Sequence, residues 1–95
     1  MRVVNTDLLQ TYWAKYPDTK KPLTAFLQEV VNAQWKTPNE LKRSYPTASI
    51  ISASKVVFNI RGNNHRLVAL IQWRDEQMVI NFIGTHAEYD KLNLK

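Results

Sequence analysis

Apolar residues recur along this chain at two spacings, and the change from one to the other divides it near Ala48. In the first half they follow the rhythm of a helix face. Leu8, Leu9, Tyr12, Trp13 and Tyr16 share one stripe, Asn5 or Thr6 stands in position to cap it, and Pro17-Asp18 ends it. Ahead of it, Met1-Arg2-Val3-Val4 predicts a short edge strand. A second helix opens near Pro22 and repeats Leu23, Phe26, Leu27, Val30 and Val31, with Trp35 on the same line. Thr37-Pro38-Asn39-Glu40 has the Thr-x-x-Glu form of a capping box with proline at the first helical position. A short third helix therefore runs through Leu41 to about Tyr45, and Pro46 stops it.

From Ala48 the period becomes two, in runs over 48–52, 55–60, 66–73 and 78–84. The turns Arg61-Gly62-Asn63-Asn64 and Arg74-Asp75-Glu76-Gln77 make these runs an antiparallel meander. Alternation sorts its faces. Val56, Phe58 and Ile60 oppose Lys55, Asn59 and Arg61; Leu67, Ala69, Ile71 and Trp73 oppose Arg66, Val68, Leu70 and Gln72; Met78, Ile80 and Phe82 oppose Asn81. The fold class is α+β: two N-terminal helices and a short third packed on one face of a small antiparallel sheet, the other face open and partly basic. Its 95 residues suffice for one core between two layers, so 1–95 is expected to form a single domain.

Composition narrows the function classes. The chain has no cysteine, which excludes disulfides, thiol catalysis and thiolate metal sites and fits a reducing cytoplasm. The N-terminal MRVVNTDLLQTYW lacks the apolar core of a signal peptide, and no run is long enough to span a membrane. Two histidines and scattered carboxylates show no metal-ligand spacing, so neither a metal nor another cofactor is expected. A net charge of +5 favours a polyanion, above all nucleic acid, although it also suits an ordinary soluble basic protein.

Placement of the charge points to RNA. An open face with Lys55, Arg61, Arg66 and Asn81, bordered by His86 and Tyr89, offers cations for phosphate and a ring for a base. RNA carries its own nucleophile, the 2′-hydroxyl. A protein that cuts it must align that group, take its proton, offset charge on phosphorus and protonate the departing 5′-oxygen. Duller readings stand beside these. Lys55 and Arg61 are either phosphate contacts or edge charges that discourage strand pairing, and Arg66 either binds phosphate or joins a structural ion pair. His65 at a turn is either solvated or functional. Thr85 or His86 can cap a turn, and Glu88 and Asp90 can cap a C-terminal helical turn or pair with Lys91.

Taken together, VVFNIRGNNHRLVALI and FIGTHAEYDKL resemble the two signature blocks of HigB-type toxins, ribosome-associated mRNA interferases of type II toxin–antitoxin systems in the RelE superfamily. The stretch ending in YP, the WKTP-x-x-LK-x-x-YP segment and the spacing to VFNI-x-GN fit as well, so the resemblance spans the whole chain. It implies paired helices on a small sheet whose open face receives mRNA in the ribosomal A site. It also implies metal-independent endoribonuclease activity, and a HigA-type antitoxin through which alone DNA would be met. Arg66 from the GN-x-x-RLV block and His86, Glu88 and Tyr89 from GTHAEYD are the implied catalytic residues. Lys55 and Asn59 flank the first block, and with Arg61, His65 and Asn81 they make the expected RNA-binding set. The chain departs from the family pattern at two of these. His65 stands where tyrosine is common, and Asn81 where the last strand commonly has arginine, so either lower activity or an altered sequence preference is expected. The rival from another class is a module that holds RNA on the same face without cutting it.

Overall fold

The computed structural model describes residues 1–62 and 64–92, so Asn63 of the expected turn lies outside the described residues, as do the last three positions of the chain. Local signals set the helices. α1 (Thr6–Lys15) follows β1 (Arg2–Val4) through Asn5, whose φ of 70° turns the chain sharply, a conformation asparagine tolerates. The Asn5 amide donates to the Ile80 carbonyl at 3.3 Å instead of capping the helix. Leu9 and Tyr12 are buried, whereas Leu8 is exposed. A single 3₁₀ turn over Pro17–Thr19 passes directly into α2 (Lys20–Asn32), two residues ahead of the expected start at Pro22. The buried Thr19 hydroxyl donates to the Tyr16 carbonyl at 2.7 Å and closes that junction. Leu23, Phe26 and Val30 are buried; Val31 lies outside the stripe, 57% exposed. Trp35 is buried from the following loop, its indole donating to Ser44 Oγ at 3.2 Å. α3 (Pro38–Ser44) is capped by Thr37 as expected, but the Glu40 carboxylate accepts the Lys36 amide at 3.0 Å, one residue outside a standard capping box.

The meander holds from β2 (Ser49–Ile50) through β3 (Lys55–Ile60) and β4 (His65–Gln72) to β5 (Gln77–Thr85). Strand order is β1-β5-β4-β3-β2, antiparallel throughout except that the edge strand β1 runs parallel to β5. No hairpin joins β1 to β5, so no turn dictates their direction, and the helical layer supplies the long crossover a parallel pair needs. β2 is shorter than its apolar run because the Ile51 and Ser52 amides both turn back to the Lys55 carbonyl, at 2.9 and 3.2 Å.

Val56, Phe58, Ile60, Leu67, Ala69, Ile71, Met78 and Ile80 face the helices and form the core with Leu9, Leu23, Phe26, Val30 and Leu41. Phe58 stands between Phe26 and Tyr45, ring centroids 4.9 and 5.3 Å away, and so ties β3 to α2 and the end of α3. Each such aromatic pair is worth about 0.5–1.5 kcal/mol beyond its buried area. Among the described residues no helix is long and apolar enough to cross a membrane.

One expectation about the faces is corrected. Val68 pairs with Phe82 but Ala69 pairs with Ile80, leaving Asn81 as the extra residue of a β-bulge. Because side chains alternate at a period of two, one extra residue exchanges the faces beyond it. Phe82 therefore leaves the side of Met78 and Ile80 and joins Val57 and Val68 in a row on the opposite face, while Ile83 packs against the core in its place. That face is consequently not polar along its middle: Val57 and Val68 are 3% and 0% exposed.

Candidate functional site

The site is built where β4 begins, β5 ends and a final helical turn, α4 (His86–Asp90), leaves the sheet. α4 starts on a complete capping box. Thr85 Oγ accepts the Glu88 amide at 3.1 Å, and Glu88 Oε1 accepts the Thr85 amide at 2.9 Å. Hydrogen bonding to the carboxylate by the Thr85 backbone amide first, and then by the Thr85 side chain, holds the Glu88 carboxyl below the usual carboxylate range, with Lys15 and Lys91 adding weaker support. His86 and Asp90, four residues apart, lie on one side of the turn, and His86 Nδ1 is 2.8 Å from Asp90 Oδ2. That contact fixes the ring and leaves Nε2 for other work. The His86 amide donates to the Asn64 carbonyl at 3.0 Å, which binds the helix start to the β3–β4 turn.

Register brings the other groups in. Asn59, Arg66 and Gly84 form one row across β3, β4 and β5, and Lys55, Leu70 and Val79 form another, with the Val57, Val68 and Phe82 row between them. The Arg66 guanidinium lies 6.0 Å from the centre of the Tyr89 ring, the outer range of a cation–π contact, and also donates to the His65 carbonyl at 3.3 Å. Asn59 donates to the Thr47 carbonyl at 3.4 Å, and Asn81 is exposed at the bulge. Arg66, His86, Glu88 and Tyr89 thus gather at one corner, with Asn59 beside Arg66 and Lys55 two rows away.

Two expected members stand elsewhere. His65 is no solvated turn residue: it shares the helix-facing side with Leu67 and is 5% exposed. Its Nδ1 lies 2.7 Å from the Tyr12 hydroxyl and its Nε2 3.6 Å from Asp18. Burial pushes the Tyr12 phenol well above its ordinary value, with Tyr16, Glu88 and Asp18 adding to the effect, so the hydroxyl keeps its proton. Arg61, in the left-handed region at φ 53°, turns toward the same side and pairs with Asp18 at 2.9 Å. Among the described residues no group of three or more His, Cys, Asp or Glu is placed to hold a metal ion.

Residues 19–92 match the family model described as HigB toxin, the RelE-like toxic component of a toxin–antitoxin system. The chain belongs to this family. It is 29% identical over 92 residues, 95% of this chain and 88% of the relative, to the mRNA interferase toxin HigB of Escherichia coli K12. The mRNA interferase HigB of Shigella flexneri matches to the same extent. A third relative, the mRNA interferase HigB of Escherichia coli O6:H1, is 26% identical over 94 residues, covering 97% of this chain and 91% of its own length. As the toxic component of such a system, a family member implies an antitoxin partner.

Sequence reasoning passed over Asp90 as the partner of His86 and Phe82 as a residue of the site face. The second left no signal in the sequence, since apolar residues already follow one another at Met78-Val79-Ile80 and the extra residue shows only against the paired strand. The cap also yields a prediction. Thr85→Ala should cost about 0.5–2 kcal/mol, the usual worth of an N-cap, and loosen α4 ahead of the sheet. Lowering pH should do the same. The folded state favours ionised Glu88, so its contribution is complete above the ordinary carboxyl value of about 4.3 and is lost as pH falls through the depressed folded value. Amide exchange at Thr85 and Glu88 followed against pH checks this; protection unchanged in Thr85→Ala or in acid would refute the cap.

Proposed function

We propose that this toxin is a metal-independent endoribonuclease that cuts translated mRNA on the ribosome and is silenced by a HigA-type antitoxin, through which alone it meets DNA. The observation that carries the reading is the corner where Arg66 faces Tyr89 beside His86, in a chain whose relatives are named mRNA interferases. Residues 1–95 act as one domain, and a ribosomal target implies the cytoplasm as the place of action.

The chemistry follows from these groups. The 2′-oxygen attacks the adjacent phosphorus while His86 Nε2 takes its proton, with Asp90 steadying the imidazolium that forms. Arg66 offsets the charge that builds on the phosphoryl oxygens. The bond to the 5′-oxygen then breaks, and that oxygen leaves with a proton returned from the site. Tyr89 keeps Arg66 and the scissile nucleotide in line. Glu88 serves through its cap, since a carboxylate held as the anion is a poor proton carrier. Lys55, Asn59 and Asn81 border the RNA path. Arg61 and His65 serve it by fastening the β3–β4 turn to Asp18 and Tyr12.

Expression of the chain with and without its antitoxin, followed by primer extension on cellular mRNA, tests the reading. Growth arrest with new 5′ ends in reading frames, both reversed by the antitoxin, is the expected result. Arrest without cleavage would replace the enzyme with a passive RNA-binding module.

A further inference from the structure

Phe82 is the one large apolar side chain that the bulge at Asn81 delivers to the face of Arg66. Its ring leans along the strand over Gly84: a Cβ added at Gly84 would come within 2.5 Å of Phe82 Cζ and 2.9 Å of Cε2. Gly84 is not among the described residues with positive φ, so its backbone would accept any side chain. What requires glycine there is the space taken first by the ring and then by Glu88 Cβ, 3.3 Å from the added atom. Val68 pairs with Phe82 across β4 and β5 and Val57 lies one strand further, both buried, so a half-buried aromatic ring borders an apolar row in the middle of the sheet.

We propose that Phe82, seated over Gly84 at the end of the Val57–Val68 row, is a stacking platform for one nucleobase of the bound mRNA. The proposal deepens the cleavage reading above and rests on it. The surroundings favour a nucleotide over an apolar protein segment. The flanking rows carry Arg66 on the adjacent strand, and Asn59 and Lys55 two strands across on β3, so that at about 4.8 Å per strand and 3.4 Å per residue Arg66 stands nearest and Lys55 about 12 Å away. A base laid on Phe82 would bring its phosphates within reach of long cationic side chains, whereas an apolar peptide there would face their charge. The Tyr89 ring already faces the Arg66 guanidinium, whereas among the described residues no ring or cation contact engages Phe82. Phenylalanine has no hydrogen-bonding group, so the platform holds a base without reading its identity.

The test is cleavage on ribosomes programmed with defined mRNAs, in which the base is removed from one nucleotide at a time around the cut. Phe82→Leu, which keeps the row apolar, should lower kcat/KM by about 5- to 150-fold, the range of one lost stacking contact. Phe82→Trp should retain most of the activity. Gly84→Ala, whose Cβ would displace the ring and also meet Glu88 Cβ at 3.3 Å, should lose at least as much as Phe82→Leu. Removing the base from the stacked nucleotide should bring wild type down to the Phe82→Leu level and cost that variant little more, because both changes delete one contact. Equal losses for Phe82→Leu on intact and base-free RNA, no loss on either, or no position at which base removal matters to wild type would each overturn the platform. Wild type that cuts no mRNA on the ribosome would instead remove the cleavage reading, and the platform with it.

Discussion

Alanine at Arg66 or at His86 is expected to lower mRNA cleavage by about two orders of magnitude or more without unfolding the protein. Both side chains belong to the corner of the sheet and not to its core: Arg66 is half-buried at the start of β4, and the His86 side chain is 50% exposed on α4. What each removes is an interaction that strengthens as the transition state forms. On the proposed mechanism Arg66 meets phosphate charge that grows during the attack and His86 acts in the proton transfer of the same step, so kcat should fall more than KM rises. Asp90→Asn should cost less than His86→Ala, since it loses the orientation of the ring but not the ring. Single-turnover cleavage on ribosomes, with urea unfolding of each variant, checks the pair. Undiminished toxicity of both alanine variants would remove this corner as the active site.

The second large effect lies in the RNA. Replacing the 2′-hydroxyl of the nucleotide before the cut with hydrogen should abolish cleavage there, because the protein then has no nucleophile to align. The normal products should carry a 2′,3′-cyclic phosphate, or its 3′-phosphate hydrolysis product, and a 5′-hydroxyl. On the proposed mechanism, offsetting the charge of that step falls to Arg66. End-group analysis of the cut mRNA, with the deoxy substitution alongside, decides the matter without chelating the ribosome's magnesium. A 5′-phosphate, or full cleavage of the deoxy substrate, would mean an activated water and a different set of catalytic groups.

Much of the fold was legible because its signals are local. Thr37-Pro38-x-Glu40 opened α3 and Pro17 ended α1, since a cap or a proline acts on its own neighbours through backbone hydrogen bonds. The faces of β3 and β4 followed from alternation, and the position of His65, two residues before Leu67, was readable from the same parity. The adjoining turn, whose residues carry no alternation, obscures it. The capping box at Thr85 and Glu88 and the i,i+4 pairing of His86 with Asp90 likewise needed only spacing, and they explain why four polar or aromatic groups crowd behind β5.

Sequence alone therefore determined the α+β class, the residues of β3 and β4 that face the helices, the α3 cap and the family. Each of these rests on residues close in the chain or on a pattern repeated along one element. Tertiary structure decided the parallel pairing of β1 with β5, the bulge that turns Phe82 outward, and the capture of His65 by Tyr12 and of Arg61 by Asp18. All four join residues far apart in sequence, or depend on how one strand registers against another. A strand's own alternation cannot reveal an extra residue until a partner leaves it unpaired, and a charged side chain near a turn has no fixed direction until the opposite layer supplies its counter-charge.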